Sequence, residues 1–555
     1  MSIGTTIAAR LFKLRARDNK QVHVEAVEIP LGDGVTLQAD RYAPGERSDA
    51  PRPVTVMMTP YGRGDALMPT LIAERGHQVL QVSCRGTDGS TGDWQPFVHE
   101  RADVIAVLTW LNEQPWCNGE IAMTGGSYTG FPIWAAVAER PDLVKAMSIG
   151  VSTSFFHDMI YPGGTFVAET GMTWLPGLVP DLDGRGRFPA KSLPVTLITA
   201  LAKLPSQRKQ IASSTRLVPL DQAGTTHAPK FAKVWEQWLA APEPDSDYWA
   251  PFNFRAELGE TPPATLVSGW YDLFINSQVN DFALLQAAGR PVRLVVGPWH
   301  HGSGGLMACL ARETVALLDT ELGGEPAPSS LPVRLFVTGS KQWRDFAAWP
   351  PSAQPVAWHL QPDGRLDFAA ALDSLPDRYR YDPHDPTPSA GGNTLFFPNA
   401  GPKDQRKRES RADVLTYTSD VLTSEATVIG WVEATLHVRS TLDHADFVVT
   451  LCDVDAKGKS TNVSDGIVRV TPGVGQADGD GGLRLDIRLN PVAHTFLSGH
   501  RIRVQVSSGA HPLYLRNQGT GKPWGSGTQF ECADQEVFHD PARPSAVTLP
   551  TVFTG

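Results

Sequence analysis

The stretch Gly125-Gly126-Ser127-Tyr128-Thr129-Gly130 follows the apolar run Ile121 to Thr124 directly and precedes a helical pattern with Pro132 near its first turn. This strand, turn and helix constrain the chain more than any other segment. A serine held in so tight a bend needs small residues two positions away on either side, and Gly125 and Thr129 meet that condition. The bend exposes the hydroxyl at a helix N-terminus. There the N–H of Tyr128 and the positive end of the helix face any negative charge that develops on a reacting carbonyl.

The surroundings carry the same rhythm. A strand pair is expected around Val35, Leu37 and Ala39. Buried strands follow at Val54 to Met58, Gln78 to Val82, Ile121 to Thr124 and Val144 to Gly150, with helices at Ala102 to Leu111 and Phe131 to Glu139. Alternation of this kind implies a parallel sheet covered by helices. From Val151 to about Pro251 the pattern turns to Pro- and Gly-rich bends with helical runs at Val195 to Leu204 and Phe231 to Leu239, which reads as an insertion. Sheet-like runs resume at Thr265 to Gly269, Val292 to Val296 and Val333 to Val337, with a helix over Gln278 to Ala287. Beyond Pro350 alternating strands dominate, among them Val432 to Val438, Phe447 to Val454, Leu483 to Leu489 and Ile502 to Val506, the pattern of an antiparallel sandwich. The Gly/Asp-rich stretch Gly473 to Gly482 reads as a flexible loop.

A serine hydroxyl is a poor nucleophile unless a histidine takes its proton and a carboxylate orients that histidine. Strand Thr265 to Gly269 ends in Trp270-Tyr271-Asp272, and strand Val292 to Val296 ends in Gly297-Pro298-Trp299-His300-His301. Asp272 alone could cap a helix and either histidine could lie on the surface. At successive strand ends, in the order Ser, Asp, His used by α/β-hydrolases, the three read jointly as a catalytic triad.

Bulk properties exclude other classes. The 555 residues carry a formal net charge of -10 without long acidic or basic runs, which argues against nucleic acid or an anionic membrane as partner. The basic cluster Lys403 to Arg408 is expected to be a solvated loop. Five scattered cysteines, none in C-x-x-C spacing, suggest neither a disulfide framework nor a zinc site, and no cofactor or metal is expected. No sustained apolar segment is evident, so the expected location is the cytoplasm.

At these motifs the chain resembles the cocaine-esterase-like branch of the superfamily that also holds X-prolyl dipeptidyl peptidases, glutaryl acylases and α-amino-acid ester hydrolases. The likeness runs through Asp33-Gly34-Val35-Thr36-Leu37, Pro60-Tyr61-Gly62, Arg85-Gly86, the serine turn and both strand ends above. It continues into Ala445-Asp446-Phe447, Asp465-Gly466-Ile467-Val468-Arg469, Gly499-His500-Arg501 and Arg516-Asn517. The resemblance implies an α/β-hydrolase core (residues 1–150 and 251–351), an inserted helical cap (151–250) and a C-terminal all-β jelly roll (352–555). It also implies that His301 is the base, with His300 in a variable position. Tyr61 becomes a second oxyanion donor beside Tyr128, and Trp174, Phe274, Leu395 and Phe396 become an aromatic or bulky acyl pocket.

Two departures bear on the site: Ser83-Cys84 stands where an Asp-Val pair is common, and the stretch from His301 to Val333 is short. Relatives that act on α-amino substrates carry acidic residues close after the catalytic Asp, whereas Leu273, Phe274, Ile275 and Asn276 follow here. The expectation is therefore hydrolysis of a small-molecule carboxylic ester through an acyl-enzyme. Amide cleavage by an acylase or dipeptidyl peptidase is the runner-up, and a carbohydrate-binding sandwich and acyl transfer are further alternatives. A homodimer is compatible with the sequence.

Overall fold

The computed structural model describes residues 3–64, 66–182, 205–326, 331–396, 398–478 and 480–552. They form a mixed α/β structure built on two sheets. The first contains β1 (Val22–Pro30), β2 (Thr36–Pro44), β3 (Arg52–Thr59), β4 (Gln78–Ser83), β5 (Cys117–Gly126), β6 (Ala146–Gly150), β7 (Ala264–Gly269), β8 (Val292–Gly297), β9 (Val333–Val337) and β10 (Gln342–Phe346). Their order is β1-β2-β4-β3-β5-β6-β7-β8-β9-β10. Neighbours from β4 to β9 pair in parallel, and β1, β2 and β10 close the edges antiparallel.

Strands β4, β6 and β7 are buried at every residue, as apolar strands covered by helices on both faces must be. Helices Glu100–Asn112 and Phe131–Glu139 match the sequence pattern closely, and Ile275–Ala287 begins three residues before the expected Gln278. Helices Leu67–Ala73 and Gly304–Glu321 were not anticipated. The second opens on two glycines, yet Leu306, Cys309, Leu310, Val315 and Leu318 are buried and pack it against the sheet.

Between β6 and β7 run helices that include Ala168–Leu182 and Ala232–Ala240; the latter lies one residue beyond the expected Phe231 to Leu239. The run Val195 to Leu204 lies outside the described residues. The separate C-terminal domain is formed on the second, largely antiparallel sheet, around Phe447, Leu451, Leu485, Val504 and Val537. The two parts meet where the Thr338 N–H donates to the Ala493 carbonyl oxygen at 2.8 Å.

Two local expectations are corrected. Arg408 is buried, not solvated: it lies in the short helix Arg406–Glu409 and donates to Ser507 Oγ at 2.8 Å, to the Gly509 and Pro388 carbonyls and to Gln505. A buried guanidinium persists only when its donors are satisfied, and backbone and amide oxygens do this here. The stretch Gly473 to Gly482 contains a short strand, Gln476–Ala477, paired with Leu483–Arg488, and Asp478 Oδ2 lies 3.0 Å from His437 Nδ1.

Candidate active site

Ser127 begins a one-turn 3-10 helix at the end of β5 and has φ +57°, a conformation rare for any residue with a Cβ. Its N–H donates to the Val151 carbonyl at 3.1 Å, which ties the bend to the end of β6. A Cβ on Gly125 would lie 2.6 Å from the Thr129 carbonyl oxygen, and one on Gly130 would lie 2.4 Å from Ser152 Oγ, so the bend closes only with glycine at both places. The Thr129 hydroxyl completes the turn: it accepts the Gly126 N–H and donates to the Gly126 carbonyl, each at 2.7 Å.

The strand-end histidine reaches this hydroxyl, and the carboxylate reaches the histidine. His301 Nε2 lies 3.0 Å from Ser127 Oγ and its Nδ1 lies 2.8 Å from Asp272 Oδ2. Asp272 is fully buried, and its other oxygen accepts the Phe274 N–H at 2.9 Å. The His301 side chain is 17% exposed, enough for contact with a substrate. His300 turns elsewhere, with Nδ1 2.9 Å from the His301 carbonyl oxygen.

The remaining expected residues divide. The Trp174 indole N–H donates to the Tyr61 hydroxyl at 3.3 Å, and its ring stacks on Tyr128, 5.6 Å between centroids. Phe274 lies 6.0 Å from the His301 ring. Leu395 is half-buried and Phe396 buried, on the loop after Asn393. Among the described contacts none joins either side chain to Ser127 or His301.

Four residues around the site escaped the sequence reading. The Asn393 side-chain amide donates to the carbonyls of Trp270 and Asp272, at 2.9 and 3.0 Å, so the C-terminal domain holds the carboxylate's loop. Beside it, Thr394 hydrogen-bonds to Glu169, whose carboxyl is pushed up to about 7 by burial. Glu100, also raised to about 7 by burial, accepts the Tyr128 hydroxyl at 2.5 Å. No local pattern marks these side chains, because each acquires its role only from partners far along the chain.

Among the described residues no group of His, Cys, Asp or Glu is arranged to hold a metal ion, and no helix is long and apolar enough to cross a membrane. The arrangement can transfer a proton from the serine hydroxyl to an imidazole whose opposite nitrogen is held by a buried carboxylate.

The pattern of the family described as X-Pro dipeptidyl-peptidase (S15 family) matches residues 33–303, and that of the X-Pro dipeptidyl-peptidase C-terminal non-catalytic domain matches residues 328–548. A cocaine esterase of Rhodococcus sp. (strain MB1 Bresler) is 31% identical over 579 residues, which cover 95% of this chain and 98% of that protein. An α-amino acid ester hydrolase superimposes with a TM-score of 0.79 at 22% identity, covering 97% of this chain and 98% of that one. An aminopeptidase from a marine sediment Thaumarchaeota archaeon gives 0.78 at 23%, covering 96% and 97%. At these identities the two solved structures speak for the fold alone.

Proposed function

The chain belongs to the S15 family of X-Pro dipeptidyl-peptidases, in its cocaine-esterase-like branch, and on that premise we propose that it hydrolyses carboxylic esters with a bulky or aromatic acyl group through an acyl-enzyme on Ser127. The relay from Asp272 through His301 to Ser127 Oγ, at 2.8 and 3.0 Å, carries the reading. Ser127 attacks the acyl carbon while His301 Nε2 takes its proton. Asp272 stabilises the resulting imidazolium, and the Tyr128 N–H and Tyr61 O–H stabilise the oxyanion. His301 then protonates the leaving alkoxide and draws a proton from the water that releases the acid.

Trp174 and Phe274, beside Tyr61 and His301, support an aromatic acyl pocket, to which Leu395 and Phe396 on the Asn393 loop are also assigned in this reading. In this reading residues 1–150 and 251–351 are the α/β-hydrolase core, 151–250 a helical cap and 352–555 a jelly roll. The test is fluorophosphonate labelling together with turnover of aryl esters by Ser127→Ala. Loss of both label and turnover is expected, and wild-type turnover by the variant would remove the proposal. Amide cleavage shares every catalytic part; no acidic side chain follows Asp272 through Asn276 to anchor an amine. Preference for the amide in matched ester and amide substrates would reverse the ranking.

A further inference from the structure

Tyr128, the residue after the nucleophile, is fixed by a strap that the reaction steps above do not use. Its buried hydroxyl donates to Glu100 Oε1 at 2.5 Å and accepts the Phe97 N–H at 2.8 Å. The same carboxylate oxygen accepts the Trp94 indole N–H at 2.7 Å, while Glu100 Oε2 is buried with no hydrogen-bond partner among the described residues. Phe97 has φ +72°, a strained conformation for an aromatic residue, and its ring packs 5.0 Å from that of Tyr128. Strain of this kind persists only where the surroundings over-determine it, and here it delivers one N–H to one phenol.

The peptide plane between Ser127 and Tyr128 is thus held from both ends. Upstream the Ser127 N–H is tied to Val151, and downstream the Tyr128 ring is tied to Glu100 and stacked on Trp174. Trp174 in turn donates to the Tyr61 hydroxyl. The two groups assigned to the oxyanion therefore lie on one continuous path of contacts that ends at the buried Glu100.

We propose that Glu100 is a positioning residue for the oxyanion site: by holding the Tyr128 phenol it fixes the direction of the Tyr128 N–H and, through Trp174, the placement of the Tyr61 hydroxyl. The inference rests on the serine-hydrolase reading. An oxyanion donor acts through preorganisation, so displacement by a fraction of an ångström costs rate and leaves ground-state binding nearly unchanged.

Three variants test it: Glu100→Ala removes the acceptor, Glu100→Gln keeps an acceptor oxygen, and Tyr128→Phe removes the phenol while keeping the ring. The measurements are kcat and KM on a p-nitrophenyl ester, inhibition by an aryl boronic acid that mimics the tetrahedral adduct, and inhibition by the product acid. For Glu100→Ala and Tyr128→Phe, kcat and boronate affinity should both fall by roughly 10- to 100-fold, with KM and product affinity within about threefold of wild type. At pH 6 Glu100→Gln should recover kcat to within about threefold. Wild-type kcat in Glu100→Ala or Tyr128→Phe, or a loss shared equally by KM and product affinity, overturns the proposal. Should Glu100→Ala fail to fold, Tyr128→Phe alone carries the same comparison. Labelling of wild-type Ser127 by a fluorophosphonate separates the two failures: an unlabelled wild type strikes the hydrolase reading, and a labelled one with unaffected variants strikes only the role of Glu100.

Discussion

Replacing Asp272 by Asn should disable the serine without unfolding the protein, and the hydrogen bonds around it explain why. Oδ1 accepts the Phe274 N–H and Oδ2 faces His301 Nδ1. In the variant the amide oxygen must stay on the Phe274 N–H, because the flipped amide would set an NH2 against it. The NH2 then faces Nδ1, which can only accept. The imidazole proton is driven to Nε2, and the lone pair that should take the Ser127 proton is gone. In serine proteases with this arrangement the corresponding change costs about 10⁴-fold in kcat, equivalent to ~5.5 kcal/mol of barrier at 1.36 kcal/mol per decade. KM should stay within about threefold, since the ground-state contacts are untouched. The assay is steady-state hydrolysis of a p-nitrophenyl ester beside thermal unfolding. A folded variant whose kcat lies within tenfold of wild type would refute the tautomer argument and the assignment of Asp272 with it.

Gly125→Ala would set a methyl 2.6 Å from a backbone oxygen that cannot swing away; the expected outcome is loss of fluorophosphonate labelling with a lowered Tm, and normal labelling would contradict the strained bend. Trp174→Ala removes the stack on Tyr128 and the bond to Tyr61; KM for aryl esters should rise roughly tenfold more than KM for short alkyl esters, given ~0.5–1.5 kcal/mol per aromatic contact beyond area, and equal changes would remove Trp174 from the acyl pocket. Glu100 and Glu169 are both raised from 4.5 to about 7, chiefly by burial. Each therefore favours folding fully below pH 4.5, and that contribution fades as pH rises through 7. Denaturant titrations should show Glu100→Gln and Glu169→Gln gaining on wild type between pH 5 and pH 8, on the order of 2 to 3 kcal/mol each, whereas parallel stability curves would mean that neither carboxyl is held neutral.

Legibility followed the range over which each residue's role is determined. Strands such as Gln78–Ser83 and Ala264–Gly269 were readable because burial on both faces writes a short, charge-free and largely apolar run. Ser127 was readable because its bend demands small residues within two positions. The helix Gly304–Glu321 was missed because its opening glycines hid an apolar stripe that begins only at Leu306. Arg408 was misread for a different reason. Charge clustering predicts solvent, but its partners Ser507 and Gly509 lie about a hundred positions away and no local pattern announces them. Glu100 looks in sequence like an ordinary acidic first turn of a helix, and only the fold brings Tyr128 to it.

Asn393 shows how the second sheet supports the loop that carries Asp272. The carboxylate is buried and held against His301, and the loop that carries it presents the Trp270 and Asp272 carbonyls to Asn393. Buried carbonyls without donors cost free energy; across the five residues between β7 and its following helix the Asp272 carbonyl has a local donor in the Ile275 N–H, at 3.2 Å, and further donors come from outside the loop. The C-terminal domain supplies them: Asn393 satisfies both carbonyls, and the Trp431 indole donates to Asn276 at the start of that helix, at 3.2 Å. Thr394, next in the chain, grips Glu169 on the helix that carries Trp174. One short loop of the second domain therefore anchors the carboxylate's loop on one side and the helix that carries Trp174 on the other. Geometry at Ser127 consequently depends on the docking of two sheets that share little sequence proximity.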